Sequence, residues 1–252
     1  MSAHAYGLEA KYELIKILRL PAFLIPAIGF PLMFYVLFGL VLTGGGRGAT
    51  QASSYLLATY GAFGVIGISL FALGVGVATE RGQGWLAVKR ASPMPVSAYF
   101  LGKYAMSVVL GMVLIALLAL LGVVFGHVHL TAQHWAAWVI VEVLGGIPFC
   151  AMGLAIGYMA GPNSAPAVVN AIYLPMAFLS GLFVPASMLP KFLQGVAVIF
   201  PPYHLGQLAL LASGVLPPDG AWVHAAALFG FGVLFSAFAV VAYRRDEGKT
   251  YG

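Results

Sequence analysis

Apolar residues fill long stretches of this chain, and polar residues gather in a few short breaks. Runs at 21–42, 55–79, 104–125, 135–160, 167–183 and 222–243 each read as a membrane-spanning helix, because about 20 apolar residues at roughly 1.5 Å per residue cover the hydrocarbon core. Residues 184–200 are apolar too, but Pro185, Pro190, Lys191 and Gly195 cut them into pieces too short to cross. They are expected to form a re-entrant helical hairpin between the fifth and sixth spans. Ahead of the first span, residues 6–20 place Leu8, Tyr12, Ile15 and Leu18 or Arg19 three and four positions apart, among Glu9, Lys11, Glu13 and Lys16. That spacing fits an amphipathic helix lying along the membrane surface, or a solvated helix leading into the first span.

Proline and glycine refine this pattern. Pro26 and Pro31 in the first span and Pro175 in the fifth each remove a backbone donor, so bends are expected there. Gly61, Gly64, Gly67, Gly74 and Gly76 line the second span, and Gly153, Gly157 and Gly161 recur every four residues along the fourth. Small residues so spaced let helices approach closely, either within the chain or between subunits. Residues 43–47 read as a flexible loop carrying Arg47, and the proline-containing stretch 201–220 reads as a second loop. Trp135 and Trp138 mark a headgroup-level interface.

Composition narrows the class. A hydrophobic content of 62% and a mean hydropathy of +0.98 exceed what a soluble surface tolerates, and the runs are too long and unbroken for barrel strands. The fold expected is an all-α integral membrane protein with six transmembrane helices. The first apolar run is too long for a signal-peptide core and is expected to remain as a span. Cys150 stands alone in an apolar run and reads as a packing residue.

The net charge of +5 changes the picture through its placement. Cations sit at the ends of apolar runs and form no basic face, so nucleic acid is not an expected partner. Lys11, Lys16, Arg19, Arg81, Lys89, Arg90, Lys103, Arg244, Arg245 and Lys249 fall on one side under the six-span reading, leaving Arg47 and Lys191 on the other. Cytoplasmic loops carry the excess of Lys and Arg, so both termini and the loop 80–103 are expected inside.

Candidate chemistry is sparse. A phosphate-cradling loop needs G-x-x-x-x-G-K-[ST]; ahead of Gly248-Lys249-Thr250 the first glycine is replaced by Tyr243, so ATP is expected to bind elsewhere. Glu142 lies inside the fourth span, where a carboxylate is costly. It reads as a substrate or gating contact, as a structural hydrogen-bonding group, or as the proton carrier of a proton-driven secondary transporter. His127, His129 and His134 share one loop, with His204 and His224 placed on the same side. They read as interfacial residues holding no metal.

The stretch 79–103 is the most specific part of the chain, and E-R-x-x-G-x-L-x-x-x-R-x-x-P-x-P runs from Glu80 to Pro95. S-G-x-F-x-P-x-x-x-L-P follows from Ser180 to Pro190, and then Pro201-Pro202-Tyr203. With these motifs the chain resembles, over nearly its whole length, the permease subunit of type-2 ABC transporters in the drug, lipid and glycan exporter class. The resemblance implies one transmembrane domain over 1–252 in a bacterial inner membrane, pairing as a homodimer and bound to two copies of an ABC ATP-binding subunit. ATP and Mg would be held by that subunit, so this chain would carry no cofactor and would not be an enzyme. The loop would dock on the ATPase through Glu80, Arg81, Gln83, Gly84, Trp85, Leu86, Lys89 and Arg90, Trp85 and Leu86 offering a buried anchor. Here Trp85 and the Lys89-Arg90 pair depart from the commoner family loop. Glu142, Phe183, Pro185 and Tyr203 are the candidate pathway and gating residues. The implied cargo is a hydrophobic, amphiphilic or lipid-linked molecule, drug or natural product first and glycolipid or glycan second.

Overall fold

The computed structural model describes residues 3–43, 48–92 and 94–250, without the side chains of Ala3, Arg90 and residues 247–250. Arg47 and Pro93, the Arg90 side chain and that of Lys249 therefore lie outside the described residues. Among the described residues every regular element is a helix.

Helix α1 (Ala3–Leu18) leads to α2 (Pro21–Val41), which starts with proline at its first position, where no backbone donor is lost. α2 continues through Pro26 and Pro31 and widens into a π-helical stretch, Tyr35–Val41. α3 (Ala49–Gly82) is the central helix of the bundle and the most buried of the long apolar ones. A seven-residue helix, α4 (Trp85–Ala91), separates it from α5 (Val96–Val124). α6 (Ala132–Met159) follows, and Thr131 caps its start by accepting from the His134 N–H.

The next part departs from the expected six spans. The fifth expected span, 167–183, is a 15-residue helix, α7 (Ala165–Leu179); at roughly 1.5 Å per residue it is shorter than a core of about 30 Å. It ends at a corner made by Gly181, whose φ of 76° and a would-be Cβ 3.0 Å from Ala186 exclude a side chain. A single 3₁₀ turn, Ala186–Met188, leads to α8 (Lys191–Ala197), which meets α9 (Pro201–Ala212) at 91°. Residues 201–220, expected as a loop, thus hold a helix, since Pro201 and Pro202 occupy its first turn, where missing donors cost nothing. α10 (Ala221–Thr250) closes the fold. Five helices are long and apolar enough to cross a membrane, and the bent pair α8 and α9 would make a sixth if counted as one span.

Close backbone approach holds α6 against α3. A Cβ at Gly157 would stand 2.9 Å from the Gly74 carbonyl, and one at Gly153 would stand 3.0 Å from the Ser69 carbonyl. These two glycines therefore serve packing within the chain, whereas Gly161 meets only the Ser164 hydroxyl. Gly157→Val is expected to lower stability by about 1–3 kcal/mol through overpacking. Gly230, with open space around it, should accept alanine without loss, and thermal unfolding in detergent compares the two.

Candidate functional site

The loop between α3 and α5 is shaped by its glycines and anchored by its charges. Gly84 takes a φ of 78° at the start of α4, a left-handed corner that turns the chain out of α3. Just before this corner, Glu80 and Arg81 point to different neighbours.

Glu80 enters a buried ionic cluster. The Lys103 ammonium of α5, whose side chain is 1% exposed, donates to Glu80 at 2.8 Å and to Glu13 of α1 at 3.0 Å. Lys16 donates to both carboxylates as well, and the Tyr99 hydroxyl donates to Glu80 at 2.7 Å. Lys89 of α4 reaches back to Glu9 and to Glu13, 2.8 Å away, with its ammonium 4.6 Å from the Tyr99 ring centre. One network thus ties α1, α3, α4 and α5. Burial alone would raise the Glu13 pKa, but the charges of Lys103 and Lys16 and the hydrogen bond from Lys89 outweigh it and hold the carboxyl down to about 2. Burial and the Lys103 charge pull the Lys16 ammonium down to about 8, against the opposing pull of Glu13.

Arg81 faces the other way. Its guanidinium donates to the Tyr158 and Ala160 carbonyls at the end of α6, satisfying acceptors that a helix terminus leaves open. It also lies 3.5 Å from the Asp246 carboxylate on α10. The ends of α3, α6 and α10 therefore share one end of the bundle with α4. At the opposite end, the Tyr55 hydroxyl near the start of α3 donates to the Gly181 carbonyl.

The α4 side chains divide between two faces. Leu86 turns inward, 7% exposed, and packs with Val77, Tyr99, Tyr158 and Ala242 in a small core of its own. Trp85 and Val88 turn outward, 56% and 62% exposed. The outward apolar pair is thus Trp85 with Val88, and Leu86 supports it from beneath. Gln83 and Gly84 are exposed at the corner. The sequence reading missed Val88, Glu13 and Lys16; the signal for the last two was available, since Glu9, Glu13 and Lys16 recur at four and three positions on one helix face.

The pathway candidates do not converge. Glu142 is fully buried between α3 and α6; a Cβ at Gly61 would meet its oxygen at 2.7 Å, and neither carboxyl oxygen has a hydrogen-bond partner among the described residues. Phe183 instead caps an aromatic group, stacking on Phe178 at 4.3 Å and meeting Phe63 at 4.7 Å edge to face. Below it a cleft of about 460 Å³ runs between α2, α3 and α7, walled by Phe30, Phe34, Phe63, Phe71 and Tyr173. Pro185 only precedes the 3₁₀ turn. Tyr203 lies beside a histidine pair, His204 and His224, whose Nδ1 atoms are 3.0 Å apart and join α9 to α10.

Two comparisons bear on this arrangement. Residues 5–212 match the family model described as ABC-2 type transporter. The chain is also 26% identical over 236 residues to the "Putative transport permease YvfS" of Bacillus subtilis (strain 168), a match covering 93% of this chain and 95% of that protein.

The ionic cluster generates two tests. Lys103→Met would leave two buried carboxylates short of a partner and is expected to cost about 3–5 kcal/mol, read as a fall in the unfolding midpoint. Because the Glu13 pKa is depressed on folding, its stabilisation is present above the ordinary value of 4.5 and is lost as pH falls toward about 2. The full effect is on the order of 3 kcal/mol, and Glu13→Gln should flatten that part of the stability profile between those pH values.

Proposed function

The chain belongs to the ABC-2 type transporter family, and from that premise we propose that it is the membrane-spanning subunit of an ATP-driven exporter. As a transport permease it is a multi-pass membrane protein and not itself an enzyme, and the family implies partnership with an ABC ATP-binding subunit. The observation that carries the proposal is α4: an outward Trp85 and Val88 on a short helix whose base is locked by Glu80, Arg81, Leu86 and Lys89 to α1, α3, α5, α6 and α10. Large apolar side chains raised on a rigid mount suit a partner's pocket. ATP and Mg would reside in that partner, present in two copies around a homodimer of this chain.

Six crossings with both termini cytoplasmic fit the charge distribution. α6 ends, and α10 ends, at the α4 end of the bundle, so residues 161–220 must travel the length of the bundle once before α10 begins. We assign that passage to α7 with the corner at Gly181, and α8 with α9 to a re-entrant hairpin at the outer side. The cations then gather inside, as expected of a bacterial inner-membrane protein.

The cleft between α2, α3 and α7, lined mainly by aromatic and aliphatic side chains, supports a hydrophobic or amphiphilic cargo, drug-like or natural product before glycolipid. A proton-driven carrier would need Glu142 to meet water, and its complete burial argues against that.

Purification of the chain with its ATPase tests the docking role. Trp85→Ala and Val88→Asp should each weaken association by about 30-fold, the scale of a truncated interface anchor. Unchanged association together with normal coupling of hydrolysis to transport in both variants would reject it.

A further inference from the structure

A second cavity, of about 520 Å³, opens between α1, α3, α4 and α5, and its lining combines two chemistries. Ile17, Leu20, Phe23, Phe71, Val75 and Met106 form an apolar wall. Next to it stand the three carboxylates and three lysines of the ionic cluster, equal in number but unequal in depth. The side chains of Lys16 and Lys89 are 42% and 26% exposed, against 13%, 4% and 7% for Glu9, Glu13 and Glu80. The carboxylates thus lie beneath, already paired, while the surface offered to an incoming molecule is cationic. Lys16 has three N–H donors and spends two, on Glu13 and Glu80. Its third donor and its exposure leave it able to take one more acceptor.

A positive head position beside an apolar trough matches a molecule that is anionic at one end and apolar along the other. We propose that this cavity binds an anionic membrane phospholipid, its phosphate on Lys16 and an acyl chain along Ile17, Leu20, Phe23 and Phe71. The leaflet concerned is the cytoplasmic one, and that detail alone rests on the topology proposed above. Such a lipid would fill the space under α1 and join the interfacial helix to the central one.

Binding is measured on the delipidated full-length chain in detergent by native mass spectrometry, without ATPase or transport, so its outcome is separate from that of the permease proposal. Phosphatidylglycerol is expected to bind about tenfold more tightly than phosphatidylcholine of the same chains, the scale of a charge-assisted contact. Lys16→Gln should remove most of this preference. Leu20→Glu should do the same by setting a carboxylate at the trough without touching any ion pair, and so guards against a loss that merely reports a damaged cluster; Lys191→Gln, away from the cavity, should keep the preference. Equal binding of the two lipids, or a preference that survives both Lys16→Gln and Leu20→Glu, overturns the proposal. Inorganic phosphate should not compete, and competition at equal concentration would remove the role given to the acyl chain. Displacement of phosphatidylglycerol by equimolar dodecyl phosphate would overturn the phospholipid assignment in favour of a soluble single-chain amphiphile.

Discussion

The Lys103 ammonium is the constraint from which the arrangement of this protein follows. A lone ammonium in a dry interior costs several kcal/mol, and this one is almost wholly enclosed. It is tolerated because two carboxylates from distant parts of the chain, Glu13 and Glu80, converge on it. That convergence requires α1 to lie against α5, and α3 to end at the same level. Lys89 then brings α4 onto Glu13 as well, and onto Glu9 beside it. Four elements that the chain order separates are joined by one charge and its partners, and none of them can shift without leaving a buried charge exposed to its self-energy.

Arg81 repeats the device toward α6 and α10, with a different chemistry. The guanidinium fork spans two carbonyls at the end of α6 and reaches Asp246 on α10, a geometry a point-charge ammonium would not match. Glu80 and Arg81 are consecutive, so the last turn of α3 is clamped from two sides. A displacement of α4 is therefore resisted by ion pairs on one side and charged hydrogen bonds on the other. It can be relieved only by moving the whole end of the bundle.

Long hydrophobic runs were readable as helices because their periodicity and length are local properties, and five of them emerge nearly as expected. What failed to read out depended on contacts between distant residues. The corner at Gly181 shortens the expected fifth span and folds Ala186 against it, a contact that hydropathy does not register. Pro201 and Pro202 read as loop residues, although prolines in a first helical turn are compatible with a helix. The loop motif singles out Glu80 and Arg81, which the structure places in two separate sets of polar contacts, but a seven-residue helix is too short to show which of Trp85, Leu86 and Val88 face inward. Glu142 was visible as a costly carboxylate. Its enclosure against Gly61 required the third dimension.

The clamp and the aromatic cleft are both built on α3. α3 carries Glu80 and Arg81 at its base and supplies Phe63, Gly64, Gly67 and Phe71 to the cleft wall. Between them lies the π-helical stretch Phe71–Val75, where the ladder of i to i+4 bonds is already interrupted. A helix transmits axial and torsional displacement well through regular turns and yields where its bonding changes register. The change of register begins at Phe71, the residue that meets the Tyr173 ring of α7 edge to face at 6.2 Å. Across the cleft, Tyr173 is itself fastened to α3 by its hydroxyl, which donates to the Phe63 carbonyl at 2.7 Å. The cleft wall formed by α3 therefore carries a hydrogen-bonded contact at Phe63 and a change of helical register beginning at Phe71.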